Sequence, residues 1–127
     1  MVMTEWPCLA RCEPGELTDR ELAGRVYRQA HCAGSCLDPD EWFPVALDVA
    51  KARDQAAKAI AVCAGCPVRA DCLELSLRRS VDIGAYGMWG GLVEGERRAL
   101  RRRWLAGTRV TEFFEVTEFF EVTERTG

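Results

Sequence analysis

Three cysteines within ten residues constrain the fold of this chain more than any other feature. Cys63, Cys66 and Cys72 form a C-x2-C-x5-C cluster, and Cys32 and Cys36 lie upstream. The sequence does not open with a basic start and an apolar stretch, so we expect no export and reduced or ligated thiols. The spacing then favours a shared metal centre over disulfide bonds or buried free thiols. Spacing alone leaves zinc and iron-sulfur as equal alternatives.

The residues around these thiols predict how the chain presents them. The alanine and glycine between Cys63 and Cys66 permit a tight turn that points both thiols at one centre. Because Pro67 is favoured at the first position of a helix, we predict that Cys66 lies at a helix start. There the helix dipole lowers the thiol pKa and stabilises the thiolate that binds metal. Cys72 follows on the inward face of the same helix.

Length and composition predict one domain. The chain has 127 residues, of which 48% are hydrophobic, as is typical of a globular protein with a single core. No apolar run approaches the roughly 20 residues of a membrane span, so we expect a soluble, cytoplasmic protein with no membrane partner. Residues 92–110 hold six arginines and two glutamates, whereas residues 111–127 hold five glutamates and one arginine. A basic segment therefore precedes an acidic one.

Helical spacing and capping signals predict about four helices. Thr18 and Glu21 have the spacing of a capping box, and alanine is abundant before Cys63. The dense glycines around Trp89 predict a tight turn that holds this indole in a fixed place. The predicted helices cover residues 19–30, 46–62 and 68–79, and the last begins at residue 94.

The carboxyl-terminal segment contains an internal repeat. Residues 111–116 and residues 117–122 have the identical sequence TEFFEV. Two copies are too few for a repeat architecture, so we interpret them as a tandem duplication in a flexible acidic tail over residues 106–127. Residues 1–16 are expected to be an irregular lead, which leaves residues 17–105 as the folded domain.

The arginines of the last predicted helix are candidates for DNA contact. Five of them fall within seven residues, a density that favours binding to phosphates, although a solvated face is the plainer alternative. Phosphate contacts add affinity without reading bases. The candidates are Arg97, Arg98, Arg101, Arg102 and Arg103.

The order of these motifs resembles the WhiB-like family of actinobacterial transcription regulators. The matching elements are Asp38-Pro39-Asp40 with Trp42-Phe43-Pro44, the cysteine cluster with its Pro67-Val68-Arg69, the Gly87-Met88-Trp89-Gly90-Gly91 turn, and Glu96-Arg97-Arg98-Ala99-Leu100. The similarity covers roughly residues 30–104, in the same order. A lone C-x2-C would be weak, but this joint pattern is specific.

The resemblance implies an all-α domain organised around a [4Fe-4S] cluster held by four cysteines. It further implies a redox-responsive or nitric-oxide-responsive transcription regulator that binds the C-terminal domain of the principal sigma factor and promoter DNA. Cys63, Cys66 and Cys72 match three of the family's ligands. By similarity, the sigma interface would include Trp42, Phe43, Trp89, Gly90 and Gly91.

The first ligand departs from the family pattern. Family members place this cysteine about four residues before the aspartate of the Asp-Pro step, whereas Cys32 lies six residues and Cys36 two residues before Asp38. Tyr27 and Ala30 resemble the family's aromatic-x-x-Ala lead and favour Cys32, with Cys36 as the alternative.

The sequence leaves two alternatives to a cluster-based regulator open. Apo forms of the family have been proposed to reduce disulfides, and the C-x2-C of Cys63 and Cys66 would carry such a weak activity. Against it, the chain lacks the alternating strands and helices of thioredoxin-like folds. The third alternative is a structural zinc module. We otherwise expect no enzymatic activity.

Overall fold

The structure is a computed structural model that describes residues 13–114, and this part of the chain is helical. It contains five complete α-helices: α1 (Asp19–Gln29), α2 (Val49–Gln55), α3 (Ala57–Ala64), α4 (Arg69–Arg78) and α5 (Glu94–Leu105). Short 3-10 helices cover Pro14–Glu16, His31–Gly34, Pro39–Trp42 and Ile83–Ala85. Between residues 13 and 114 the only β-type pairing is one bridge from Trp89 to Leu92. The predicted all-α class is confirmed.

Helix α1 begins where the sequence predicts it. The Glu21 N–H donates to Thr18 Oγ1 at 3.2 Å, and the Thr18 N–H donates to Glu21 Oε1 at 2.9 Å, which completes the capping box. Leu22 and Val26 lie one helical turn apart on the buried face and pack with Leu75 of α4. The first helix is therefore fixed by a local cap and one apolar stripe.

The predicted long helix before Cys63 is two helices. Helix α2 ends at Gln55, Ala56 departs from helical geometry with φ −99° and ψ 14°, and α3 starts at Ala57. The break bends the chain while Ala52, Ala56 and Ala59 all stay buried in one core with Met88 and Val93. Periodicity missed the bend because alanine fits both helices equally well.

Helix α4 lies between α1 and the segment that contains α5. It begins at Arg69, so Pro67 belongs to the preceding turn and the predicted helix start at Cys66 is wrong. Leu75 packs towards α1, whereas Leu73 and Leu77 pack with Leu92, Val110 and Phe113. Since α4 is covered on both sides, its position is set by the core rather than by a cap.

A two-residue turn follows Trp89. The Trp89 N–H donates to the Leu92 carbonyl at 3.3 Å, and the Leu92 N–H donates to the Trp89 carbonyl at 3.1 Å. Gly90 and Gly91 have φ +61° and +79°, the left-handed values that both central residues of a type I′ turn require. Glycine adopts this backbone without the steric cost of a Cβ.

The segment after α5 differs from the expected flexible tail. Val110–Phe114 is helical, and Val110 and Phe113 are buried against α4. The expectation of flexibility from residue 106 is therefore wrong for this stretch, because its two apolar side chains, three residues apart, lie on one helical face. Most of the acidic tail, including residues 117–122, and residues 1–12 of the predicted lead lie outside the described residues.

Within residues 13–114, no helix combines the length and the apolar character that crossing a bilayer requires.

Candidate metal centre

Four cysteines line one cavity of about 420 Å³: Cys32, Cys63, Cys66 and Cys72. A 3-10 helix carries Cys32, the last turn of α3 carries Cys63, the connecting turn carries Cys66, and α4 carries Cys72. Cys32 and Cys36 are both exposed, but Cys36 does not line this cavity. The structure thus brings together the predicted set that includes Cys32 and leaves out the alternative. Cys8 and Cys12 lie outside the described residues.

The remaining wall of the cavity is largely apolar. Leu37, Val62 and Met88 contribute aliphatic surface, and Trp42 and Trp89 contribute indole rings. The Met88 N–H donates to the Trp42 carbonyl at 2.9 Å, so the aromatic loop and the glycine-rich turn are joined across the cavity. An apolar wall restricts water at the thiols, which tunes any metal held there.

The glycine turn supplies two hydrogen-bond donors to the thiols. The Gly91 N–H donates to the Cys63 sulfur, and the Gly90 N–H donates to the Cys72 sulfur. A Cβ at Gly90 would lie 2.9 Å from the Arg69 carbonyl oxygen, so a side chain at this position would force the turn away. Such N–H donors stabilise thiolate ligands.

Burial dominates the electrostatics of two thiols. It raises the pKa of Cys63 from 9.0 to about 11 and the pKa of Cys72 from 9.0 to about 12, against the opposing N–H bonds. Both thiols are therefore protonated at neutral pH in the metal-free chain, and metal binding releases their protons. A disulfide reductase needs the opposite shift in its attacking thiol.

Arg69 is a functional candidate that sequence reasoning did not single out. Its side chain lines the cavity, and its Nε donates to the Gly90 carbonyl at 3.1 Å. Its guanidinium lies 4.4 Å from the ring centroid of Phe114. Arg69 therefore places a positive charge beside the thiols and connects the turn to the end of the described chain. Its place directly after Cys66-Pro67-Val68 was the available signal.

The thiols surround a volume rather than a point. Across residues 13–114, no three Cys, His, Asp or Glu side chains converge closely enough to hold one metal ion. A mononuclear zinc site places every sulfur about 2.3 Å from the same ion. The described arrangement is more open than that, although all four thiols face the same cavity.

The predicted partner residues differ in exposure. Phe43 is 56% exposed at the cavity, whereas Trp42 packs against the Met88 core and the Trp89 Nε1 donates to the Tyr86 carbonyl at 2.9 Å. Gly90 and Gly91 are buried. Gly90 lines the cavity with the four thiols. The part of these two glycines in a partner surface stays a prediction.

Sequence reasoning missed three exposed apolar side chains. Val45 is 86% exposed, Leu47 is 93% exposed and Tyr86 is 69% exposed. Val45 and Leu47 lie two and four residues after Phe43 in the chain, and Tyr86 lines the same cavity as Phe43. Their alternation with smaller residues after Trp42-Phe43 was the signal that could have found them.

The five candidate arginines separate into two groups. Arg97 is only 4% exposed and donates to the carbonyls of Gly84, Gly87 and Leu92, so its predicted DNA contact is wrong. Arg101 is half-buried and its Nε lies 3.4 Å from the Leu77 carbonyl oxygen. The exposed members are Arg98, Arg102 and Arg103.

A family profile described as Transcription factor WhiB matches residues 27–100, which is more than half of the chain. The chain belongs to the WhiB family. The matched region runs from the end of α1 into α5 and includes all four thiols of the cavity. The predicted family is confirmed.

Curated relatives are transcriptional regulators. The chain is 47% identical to Transcriptional regulator WhiB1 of Bifidobacterium longum over 66 residues, 52% of this chain and 67% of that protein. It is 38% identical to Transcriptional regulator WhiB2 of Mycobacterium tuberculosis over 89 residues, 70% of this chain and 82% of the relative. Transcriptional regulator WhiB of Streptomyces coelicolor is 36% identical over 84 residues, 66% of this chain and 82% of its own length. These similarities support transcriptional regulation as the function of this WhiB-family chain.

Proposed function

We propose that this WhiB-family protein regulates transcription through a [4Fe-4S] cluster held by Cys32, Cys63, Cys66 and Cys72. The state of the cluster would control binding to the C-terminal domain of the principal sigma factor at promoter DNA. The observation that carries the proposal is that these four thiols, and not Cys36, line one cavity. When bound, the cluster supplies an iron centre that reacts with oxygen or nitric oxide.

The residues present fit a multi-iron cluster better than a single ion. In a [4Fe-4S] centre each thiolate binds its own iron, so the ligands lie around a volume, and four cysteines that line one cavity of about 420 Å³ suit such a centre. The Gly90 and Gly91 N–H groups face two of the sulfurs, and Arg69 contributes a positive charge. Donors and cations of this kind offset the negative charge that four thiolates bring to a cluster.

The sigma factor would meet the exposed aromatic side of the cavity. Phe43 and Tyr86 are both more than half exposed there, and both line the cavity. Since Cys32 and Cys63 would tie the 3-10 helix after α1 and the end of α3 to the cluster, its loss would remove a link between these two segments beside the aromatic loop. The exposed Arg98, Arg102 and Arg103 would contact DNA phosphates and add affinity without sequence preference.

The iron content of two matched cysteine variants tests the ligand set. In protein purified without air, Cys32→Ser should lose most of its iron and sulfide, because one thiolate ligand is removed. Cys36→Ser changes an exposed thiol outside the cavity and should keep the content of the unaltered protein. Iron retained by Cys32→Ser, or zinc in place of iron in the unaltered protein, would contradict the proposal.

Binding to the isolated sigma domain tests the control of the partner. The cluster-loaded protein should bind, and Cys63→Ser, without a cluster, should not. Phe43→Ala should keep its iron while losing sigma affinity by roughly tenfold or more, as expected for an aromatic side chain at an interface. Full binding by a cluster-free variant would separate the cluster from partner recognition and overturn the regulatory part.

A further inference from the structure

The described end of the chain occupies a groove that we call the tail groove, formed by Leu73, Leu77 and Leu92. Phe113 is 0% exposed in it and Val110 is 2% exposed. These two side chains are three residues apart in the helical segment Val110–Phe114 and point into the same groove. The occupant is thus a short motif with valine at its first position and phenylalanine at its fourth.

The next phenylalanine in this motif also makes a specific contact. The ring of Phe114 stacks with Arg69, 4.4 Å from guanidinium carbon to ring centroid, and Arg69 holds the Gly90 carbonyl. On the other side, the Arg103 guanidinium lies 5.6 Å from the Phe113 ring centroid. A complete occupant of the tail groove therefore needs the sequence V-x-x-F-F.

The chain contains that occupant twice. Residues 110–115 read VTEFFE, and residues 116–121 read VTEFFE again. The repeat therefore includes Val110, so every side chain that enters the tail groove has an identical counterpart six residues later. Val116, Phe119 and Phe120 correspond to Val110, Phe113 and Phe114.

We propose that the tail groove accepts either copy, so that Val116–Phe120 replaces Val110–Phe114 when the tail slips by six residues. The proposal is independent of the cluster and of transcriptional regulation. Identical side chains make identical groove contacts, so the two registers differ mainly in the connection from Leu105. This connection has four residues in the described register and ten in the shifted one. The longer loop disfavours the shifted register by about fourfold.

A second difference also favours the described register. Arg109, which precedes the first copy, pairs with Glu13 at 3.3 Å and with Glu112 at 3.2 Å. In the shifted register Glu115 would take its place beside Glu13. Because these pairs are exposed, their loss adds only about a further two- to fivefold. The second copy is therefore a minor occupant that becomes the main one when the first copy is damaged.

Stability measurements on three variants of the full chain test the exchange. Phe113→Ala with Phe114→Ala should raise the unfolding equilibrium constant by only about eight- to twentyfold, because the second copy takes the groove. The matched pair Phe119→Ala with Phe120→Ala should change it by less than about twofold, because only the minor register is lost. All four changes together should raise it on the order of 100-fold or more, since no phenylalanine then fills the groove.

A fluorine probe keeps the proposal testable if the fourfold variant does not fold. With 4-fluorophenylalanine at position 119, the variant lacking Phe113 and Phe114 should show the buried 19F shift that the same probe gives at position 113 of the unaltered protein. A solvent-exposed shift would overturn the proposal. So would a first-copy variant as unstable as the fourfold variant, or a dimer by light scattering, which would mean that a second molecule fills the groove.

Discussion

The two faces of helix α4 differ in what completes them. Its back face comprises two flanks, one that packs on α1 and one that packs on α5 and Val110–Phe114, and the charged groups there find partners within the chain. Asp71 pairs with Arg25 at 3.0 Å, and Glu74 accepts from Arg78 at 2.8 Å and from the Trp104 Nε1 at 3.1 Å. Among the described residues, no buried side-chain nitrogen or oxygen lacks a hydrogen-bond partner.

The front face meets a cavity instead. Cys72 faces it together with the other three thiols, and burial raises the pKa of Cys63 to about 11 and of Cys72 to about 12. The two N–H donors of the glycine turn do not offset this burial. The comparison teaches that the chain itself completes the back face, whereas the front face leaves two buried thiols facing a cavity.

The largest expected effect tests whether a buried arginine stabilises the glycine turn at the thiol cavity. Arg97 lies behind the glycine turn and donates to three carbonyls, those of Gly84, Gly87 and Leu92. Arg97→Ala strands these buried carbonyls, so we expect the free energy of unfolding to fall by about 3 kcal/mol or more. Urea denaturation of the anaerobically purified protein, followed by helical circular dichroism, measures this change.

Arg98 is the matched control, because it is the adjacent arginine on α5 and is exposed. Arg98→Ala should change the unfolding free energy by less than about 0.5 kcal/mol and instead weaken DNA binding and its salt dependence. Equal stability losses in the two variants would remove the distinction between a buried support and a surface contact.

Arg97 and Arg98 also show what the sequence alone does not predict. Their residue type and helix position are the same, and the difference arises because Arg97 reaches carbonyls ten and thirteen residues away in the chain. The helices themselves were predictable, since caps and periodicity are local signals. The capping box of Thr18 and Glu21 defines the start of α1 through contacts within the first turn of that helix.

The choice of the fourth thiol and the docking of the tail depend on contacts between residues that are distant in the sequence. Spacing allowed both Cys32 and Cys36, and only the path of the loop between α1 and α2 separates them. The acidic composition of the tail predicted flexibility, yet two apolar side chains, Val110 and Phe113, suffice to dock its beginning. The bend at Ala56 was equally hidden, because alanine carries no positional signal.

A smaller effect is expected at the glycine turn, where Gly90 lines the thiol cavity. Gly90→Ala forces a Cβ onto a backbone with φ +61° and places it 2.9 Å from Leu73 Cβ. We expect a loss of about 2 kcal/mol in unfolding free energy and faster loss of iron in air, because the N–H donor to Cys72 shifts. Thermal denaturation and the decay of cluster absorbance measure the two quantities.

Gly65→Ala is the control for that change. Gly65 lies between Cys63 and Cys66, but its φ is −96° and an added Cβ would meet nothing within 4 Å. Alanine should therefore be neutral or slightly stabilising there. If both glycine variants lost the cluster at the same rate, the left-handed turn would have no special part in holding the thiols.

The smallest effect concerns pH and applies to the cluster-free protein. The folded pKa values of about 11 for Cys63 and about 12 for Cys72 exceed the reference value of 9.0. The stability that this burial represents is fully present below pH 9 and is lost as pH rises towards the folded values, because the unfolded chain releases its thiol protons first. Between pH 8 and pH 10 we expect each thiol to lower the unfolding free energy by about 1 kcal/mol.

The urea midpoint of the cluster-free protein at pH 8 and at pH 10 measures this loss of unfolding free energy. Cysteine variants measured in the same way show which thiols cause it. Cys63→Ser and Cys72→Ser should each flatten the pH dependence. The cluster-loaded protein should lack these two contributions, because ligation has already removed the protons. A cluster-loaded protein with the same slope as the cluster-free one would mean that Cys63 and Cys72 are not ligands, and the contrast between the two faces of α4 would disappear.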